Sequence, residues 1–292
     1  MKYKKAHVII NPASGRDRPM LYALNQVFQE FKMDWDVSIT KKDGDACEFA
    51  KKLKDSDVDV VVSYGGDGTI MQVVNGLMGS QKPLLTLRGG SGNVIANELG
   101  IPFDLEESLR LLKEGKERAV DVGVMEDQYF LLRVSFGFEA NVVKETDRET
   151  KKVLGSLAYA MGAFKTLIGT TSGQYHIQVD DESLDIEGLC CIVANSGNIG
   201  LPGLSLAPDI EIDDGLLDVI VIRYPNLNDL FQSTSFVIDQ RKEASSFIHL
   251  KGKKIKIEVS PCQNIQCDGE ILKAERLSFE VRPKAIRLIV PK

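Results

Sequence analysis

The spacing of apolar positions changes once along the chain, near residue 120. Before that point, short apolar runs alternate with stretches whose hydrophobic residues recur every three and four positions. His7 to Ile10 reads as a strand, and Leu21, Leu24, Val27, Phe28 and Phe31 mark one face of a helix. Trp35 to Ile39 is the next strand and Asp43 to Leu53 the next amphipathic helix. Val58 to Ser63 is a β-branched run broken by one Asp, the signature of a strand buried on both faces. Ile70, Val73, Val74 and Leu77 follow it at helical spacing. Leu84 to Leu87 then leads into a helix over Val94 to Leu99, which Ile101-Pro102 ends, and Leu105 to Leu112 makes one more. Strand and helix in strict alternation predict a parallel, doubly wound sheet.

After residue 120 alternating strands dominate. They are predicted over Val120 to Val124, Tyr129 to Phe136, Gln174 to Val179, Leu184 to Ala194, Leu217 to Ile222, Lys254 to Val259 and Leu277 to Val281. This pattern predicts an antiparallel, β-rich second domain. One helical stretch, Lys152 to Ile168, interrupts it with a broad apolar face that includes Leu154, Leu157, Met161 and Phe164. Core packing explains that face, and a lid over an apolar ligand or a membrane-facing patch is the sharper reading. The last strand, Ala285 to Val290, is assigned back to the first domain. The expected division is therefore 1–122, completed by 283–292, and 123–282.

Bulk numbers narrow the class. A chain of 292 residues fits two domains better than one. Its 43% hydrophobic and 27% charged residues are those of an ordinary globular protein. A net charge of -6 gives no general basic footprint for nucleic acid. Five cysteines without a CxxC pair read as reduced thiols of a cytoplasmic protein. With three scattered histidines, zinc is not expected. The start, MKYKKAHVIINP, has only a short apolar run broken at Asn11-Pro12, so it reads as a strand and not a signal peptide. No apolar stretch is long enough to span a bilayer.

The chemistry concentrates at strand ends. Gly65-Gly66-Asp67-Gly68-Thr69 joins a strand to a helix, and its glycines allow close approach of a ligand to the backbone. The free N–H groups of the following helix favour an anion, phosphate above all. Asp67 is out of place on a phosphate loop unless it orients a metal, a water or a hydroxyl; as a plain turn, it caps the helix. Asn11-Pro12-Ala13-Ser14-Gly15-Arg16 is a second such turn, where Arg16 either reaches a phosphate or is merely solvated. Arg88-Gly89-Gly90-Ser91-Gly92-Asn93 is a third, and Thr40 ends its strand on the same side. The convergence of these turns on one sheet edge is more specific than any one of them. No GxxxxGK[ST] is present, and GGSGNVIA lacks the last glycine of a dinucleotide fingerprint.

Two acidic stretches lie in the second half. Asp209 to Asp218 reads DIEIDDGLLD, in which Asp213, Asp214 and carbonyls around Gly215 suit either Mg²⁺ or an Asp-Gly hairpin turn. Cys267-Asp268-Gly269-Glu270 is a turn between strands, and Glu270 matters if it can accept a proton from an attacking hydroxyl.

Taken together, these segments resemble the diacylglycerol kinase catalytic-domain family, in its bacterial lipid-kinase branch related to sphingosine and ceramide kinases. The matching pieces are NPASGR at 11 to 16, GGDGT at 65 to 69, GGSGNVIA at 89 to 96, SFGFEA at 135 to 140, LGSLAY at 154 to 159, NSGNIG at 195 to 200, LAPDIEIDDGLLDV at 206 to 219 and CDGE at 267 to 270. The resemblance implies a Rossmann-like nucleotide domain followed by a β-sandwich, with the active site in the cleft between them. It implies ATP and Mg²⁺ as cofactors. Asn11, Pro12, Ser14, Gly15, Arg16, Thr40, Gly65, Gly66, Asp67, Gly68, Thr69, Ile70, Met71, Ser91 and Asn93 would hold ATP. Asp67 would place Mg²⁺–ATP or the acceptor, and Glu270 would be the general base. Asp214, with carbonyls of Glu211 and Leu216, would bind a structural Mg²⁺. The implied acceptor is a lipid hydroxyl, met transiently at the inner face of the membrane by a cytoplasmic protein; a homodimer is compatible with the chain.

Two departures leave the acceptor lipid open. Val94 stands where many bacterial members have Asp, and Glu139 where the family often has Asp. The rival readings are an NAD kinase-like enzyme, for which a TPTGSTAY-like segment is missing, and a catalytically silent lipid- or nucleotide-binding protein. The survival of Asp67, Asp214 and Glu270 as acids argues against the latter.

Overall fold

The computed structural model describes residues 2–14, 20–137, 172–199, 205–207, 209–223, 247–268 and 270–292. They divide into two units, one of residues 1–122 with 283–292 and one of residues 123–282.

In the first unit, strands β1 (Lys5–Ile10), β2 (Asp34–Ile39), β3 (Val60–Gly65) and β4 (Leu84–Arg88) run parallel in the order β2-β1-β3-β4. The helices are α1 (Met20–Phe31), α2 (Asp45–Leu53), α3 (Asp67–Leu77), α4 (Val94–Glu98) and α5 (Leu105–Glu114). All six residues of β3 are buried, as a central strand between helical layers requires. The three-and-four spacing in α1 buries Ala23, Leu24, Val27, Phe28 and Phe31, and Phe28 meets Trp35 with ring centroids 5.4 Å apart. Asp104 opens α5 by accepting the N–H groups of Glu106 and Glu107. The sheet gains a further parallel neighbour from the chain's last strand, where Leu288 pairs with Leu84.

The second unit is antiparallel. Its strands are the end of β5 (Lys116–Met125), β6 (Gln128–Phe130), β7 (Arg133–Phe136), β8 (Gly173–Val179), β9 (Glu182–Gly188), β10 (Cys190–Ala194), β11 (Leu217–Ile222), β12 (Phe247–Gly252), β13 (Lys254–Cys267) and the first part of β14 (Glu270–Val290). Neighbours run β12-β11-β10-β7-β13-β14, with β8 and β9 added beside β13. Alternate residues fill a core of Phe130, Phe136, Tyr175, Ile177, Val219, Ile257 and Phe279. A parallel α/β domain followed by an antiparallel β-rich domain is the architecture expected from the apolar spacing.

Several element boundaries differ from expectation. The expected strand Tyr129 to Phe136 is two strands, because the N–H groups of Leu131 and Arg133 turn out of the ladder toward Asp268. Leu184 to Ala194 likewise divides, with Leu189 donating to Ile222 between β9 and β10. β13 continues through Pro261, which has no N–H to donate, and its ladder with β14 shifts register between Glu258 and Gln263. β12, with the sequence FIHLKG, is an element that the spacing did not predict. The helical pattern at Lys152 to Ile168 lies outside the described residues.

Candidate functional site

The site in the first unit is made mostly of main chain. β3 delivers its end to Gly66, the N-cap of α3, which has no side chain to cap the N–H groups that follow. A Cβ on Gly65 would lie 2.5 Å from the Thr69 side chain. The third turn packs directly on this one. Gly89 N–H donates to the Gly65 carbonyl at 3.0 Å, and a Cβ on Gly90 would stand 2.6 Å from the Gly66 Cα. Only glycines let two backbones come this close.

Side chains then lock the turns together. Asn93, at φ 51°, folds back so that its Oδ1 accepts from Gly90 N–H at 2.8 Å and its Nδ2 donates to the Gly90 carbonyl at 2.6 Å. Asp67 Oδ1 accepts the N–H of Ile95 at 2.9 Å, so the carboxylate bridges the second turn to the third. Asn11 joins the first turn to the second by donating from Nδ2 to Thr69 Oγ1 at 2.9 Å, while its Oδ1 accepts from Ala13 N–H. Thr40 is buried beside them, its N–H on the Ile10 carbonyl.

The structure thus brings Asn11, Gly65, Gly66, Asp67, Thr69 and Asn93 into one connected edge. Gly68 and Ser91 are exposed there, and a Cβ at Gly68 would meet nothing within 4 Å. Ile70 and Met71 are buried in the core, so what they offer a ligand is main chain. Pro12 is exposed and Ser14 half-buried, whereas Gly15 and Arg16 lie outside the described residues. Free N–H groups at the start of α3 beside open glycine backbone form a cradle for an anion, and the fit to a nucleotide phosphate is good.

One residue escaped sequence reasoning. Arg88 turns away from the cradle and donates to the carbonyls of Ile101, Pro102 and Ala96 and to Asn97 Oδ1. Its guanidinium lies over the Phe103 ring at 4.1 Å, and burial lowers its pKa against the pull of Asp67. Arg88 therefore buttresses α4 and the third turn from behind. The signal was an arginine closing an apolar strand just before the glycines.

In the second unit the acid stretch folds as a turn in which Asp214 Oδ1 accepts the N–H of Leu216 at 2.9 Å. Lys251 Nζ lies 3.5 Å from Asp214 Oδ2, 3.4 Å from Asp218 Oδ1 and 3.7 Å from Asp209 Oδ2, and it donates to the Asp209 carbonyl. Burial works to lower the Lys251 pKa, but the carboxylates of Asp218, Asp209 and Asp214 outweigh it and raise it. His249 is buried against Asp218, Nε2 to Oδ1 at 2.5 Å. The donors of Glu211, Asp214 and Leu216 are hard oxygens of the kind Mg²⁺ takes, and the Lys251 ammonium already balances part of the charge of Asp214. Among the described residues no cluster of three or more His, Cys, Asp or Glu has metal-binding geometry.

The CDGE stretch is a hairpin tip. Cys267 pairs with Glu270, and Asp268 has φ 42°. Asp268 Oδ2 accepts from Leu131 N–H at 3.1 Å and Oδ1 from Arg133 N–H at 3.2 Å. Burial pushes the Asp268 carboxyl up to about 6 although the amides of Arg133, Leu131 and Leu132 pull it down. Glu270 opens β14, and its side chain lies outside the described residues.

Two family models match. Residues 5–125 match the diacylglycerol kinase catalytic domain and residues 132–290 the YegS C-terminal NAD kinase beta sandwich-like domain. The diacylglycerol kinase of Bacillus subtilis (strain 168) is 28% identical over 274 residues, covering 91% of this chain and 90% of its own. An uncharacterized protein of Synechocystis, sll0036, is 27% identical over 310 residues, covering 99% of this chain and 71% of its own. A diacylglycerol kinase crystal structure from Bacillus anthracis str. Sterne shares the fold, with a TM-score of 0.77 at 24% identity over 99% of this chain and 98% of that one.

Proposed function

The chain belongs to the diacylglycerol kinase catalytic-domain family, and on that premise we propose that it transfers the γ-phosphoryl group of ATP to the hydroxyl of a lipid, diacylglycerol or a close relative. The observation that carries this reading is the joining of the glycine turns through Gly66–Gly90, Asp67–Ile95 and Asn11–Thr69. In it, the N–H groups of α3 and the backbone of Gly68 and Ser91 bind phosphate oxygens. Arg16, at the end of the first turn, adds charge. Asp67 holds the second and third turns in register. Mg²⁺ arriving with the nucleotide would neutralise charge on the phosphates.

Phosphoryl transfer asks little covalent help from a protein and much alignment. The lipid oxygen attacks the γ-phosphorus as its bond to the β–γ bridging oxygen breaks, and ADP leaves. Glu270 accepts the hydroxyl proton as the new P–O bond forms. Asp214, with carbonyls of Glu211 and Leu216, would hold a structural Mg²⁺ away from the chemistry. We place the protein in the cytoplasm, touching the membrane only while it takes up lipid. All five cysteines are free, which supports a reducing compartment. Among the described residues no helix is long and apolar enough to cross a membrane.

The test is a labelled-ATP assay with Mg²⁺ on micellar diacylglycerol, monoacylglycerol, phosphatidylglycerol, sphingosine, ceramide and undecaprenol, with NAD as a control acceptor. Label is expected in one lipid; label in NAD alone, or in none, overturns the reading. Glu270→Gln is expected to lower kcat by about 10²- to 10⁴-fold with ATP binding retained. Full activity in that variant would remove Glu270 from the proton transfer.

A further inference from the structure

The backbone of Asp268, at φ 42° just after the Cys267–Glu270 pair closes, does not itself require an aspartate. Its left-handed conformation is served as well by Asn or Gly. Yet Asp268 spends its carboxylate outside its own turn, on a segment some 135 residues earlier in the chain. Leu131 and Arg133 direct N–H groups at its two oxygens, with the Leu132 amide between them in the chain. Amides that converge in this way form a concave anion site, and here a carboxylate of the same chain fills it. The return contact, Asp268 N–H to the Arg133 carbonyl at 3.4 Å, closes the pair from the other side.

The same three residues are gripped on their carbonyl side. Asn195 N–H and Ser196 N–H both donate to the Leu132 carbonyl, at 2.9 and 3.2 Å. Asn195 Nδ2 donates to the Leu131 carbonyl at 3.0 Å, and Arg133 Nη1 to the Asn198 carbonyl at 2.7 Å. Leu131 is fully buried and Leu132 nearly so, which fixes the segment in the core of the unit. The hairpin tip is therefore tied to a rigid hub that also holds the Asn195–Asn198 loop. A carboxylate accepting several amide hydrogen bonds is a strong, directional anchor.

We infer that Asp268 is a positioning residue: its carboxylate, seated in the amide nest of Leu131–Arg133, fixes the hairpin tip from which Glu270 emerges. The inference rests on the kinase reading only for what Glu270 then does. What separates it from a general structural role is the pattern of loss: a positioning role lowers kcat in folded enzyme while the KM for ATP is kept, and a purely structural role lowers stability alone. A misplacement of about 1 Å at such a group costs on the order of 100-fold in rate.

Asp268→Asn and Asp268→Gly both keep the turn and remove the charge. Amide hydrogen exchange of the full-length protein reads the nest, and lipid-kinase kinetics read its consequence. The expected result is faster exchange at 131–133, a lowered melting temperature because buried amides lose their acceptor, a kcat lower by about 10- to 100-fold at a temperature where the variants are folded, and a KM for ATP within about twofold of wild type. Asp268→Glu, which keeps the charge on a longer arm, should recover part of kcat. Unchanged exchange at 131–133 overturns the anchor, and faster exchange with an unchanged kcat overturns the positioning role. A wild type that phosphorylates no lipid, with exchange at 131–133 still raised in the variants, overturns the kinase reading and supports the anchor.

Discussion

The two units solve the problem of holding negative charge in opposite ways. In the first, the proposed anion comes from outside, and the protein offers backbone: uncapped N–H groups of α3, open space at Gly68, and glycines that let one turn lie on another. In the second, the anions belong to the chain. Asp268 fills an amide nest, and Asp209, Asp214 and Asp218 surround the Lys251 ammonium. The first arrangement needs room left unfilled; the second has its polar partners supplied. The comparison teaches where each unit is fragile: the cradle to added atoms, the acid sites to removed ones.

The largest expected effect comes from filling the cradle's seam. Gly90→Ala puts a Cβ 2.6 Å from the Gly66 Cα, where only backbone could yield. A loss of about 1–3 kcal/mol in stability is expected, with ATP binding abolished. Gly68→Ala is the control, because its Cβ meets nothing within 4 Å. It should hold or raise stability, by up to about 1 kcal/mol, since Ala favours a helix over Gly. ATP affinity should nonetheless fall, because the new methyl stands in the space proposed for phosphate. Melting curves and nucleotide titrations separate the two. If both variants bind ATP as wild type does, the cradle is not the nucleotide site.

The next effect is smaller and concerns Asp67. Asp67→Asn keeps an Oδ1 acceptor for the Ile95 N–H, whereas Asp67→Ala leaves that amide without it. If bridging the turns is the main role, Asn should retain most of the ATP affinity and Ala should lose about 1–2 kcal/mol of stability. Equal loss of activity in both, at unchanged stability, would assign Asp67 to charge and not to geometry.

How much of this could be read in the chain depends on where the signal is stored. The strand–turn–helix at Val60 to Leu77 was legible because a strand buried on both faces is a continuous apolar run and the glycines mark the turn. The antiparallel second domain was legible from alternation. β12 was not: His249 and Lys251 interrupt its apolar pattern, and the acids that accept them lie more than 30 residues earlier. The break at Leu131–Leu132 was also hidden. It is made by backbone amides, which carry no sequence signature, answering a carboxylate at position 268. Arg88 was visible as a residue but not as a buttress, because its partners are carbonyls of Ala96, Ile101 and Pro102. Side-chain periodicity reports faces; it does not report which backbone groups a polar side chain will find.

The smallest expected effect tests the second half of the comparison. Asp214→Ala deletes the acceptor of Leu216 N–H and one of the carboxylates around Lys251, while Asp209 and Asp218 remain. Because Lys251 keeps two acidic neighbours and is partly solvated, the loss of the ion pair alone should cost no more than about 1 kcal/mol. The informative quantity is the response to Mg²⁺. A structural ion held by Asp214 would raise the wild-type melting temperature with Mg²⁺ concentration by mass action, and this increment should vanish in the variant while ATP affinity stays unchanged. An equal Mg²⁺ increment in both proteins would remove Asp214 as a metal ligand. Lys251 would then be the charge that balances this turn, and the second unit would hold its anions with groups of the chain alone.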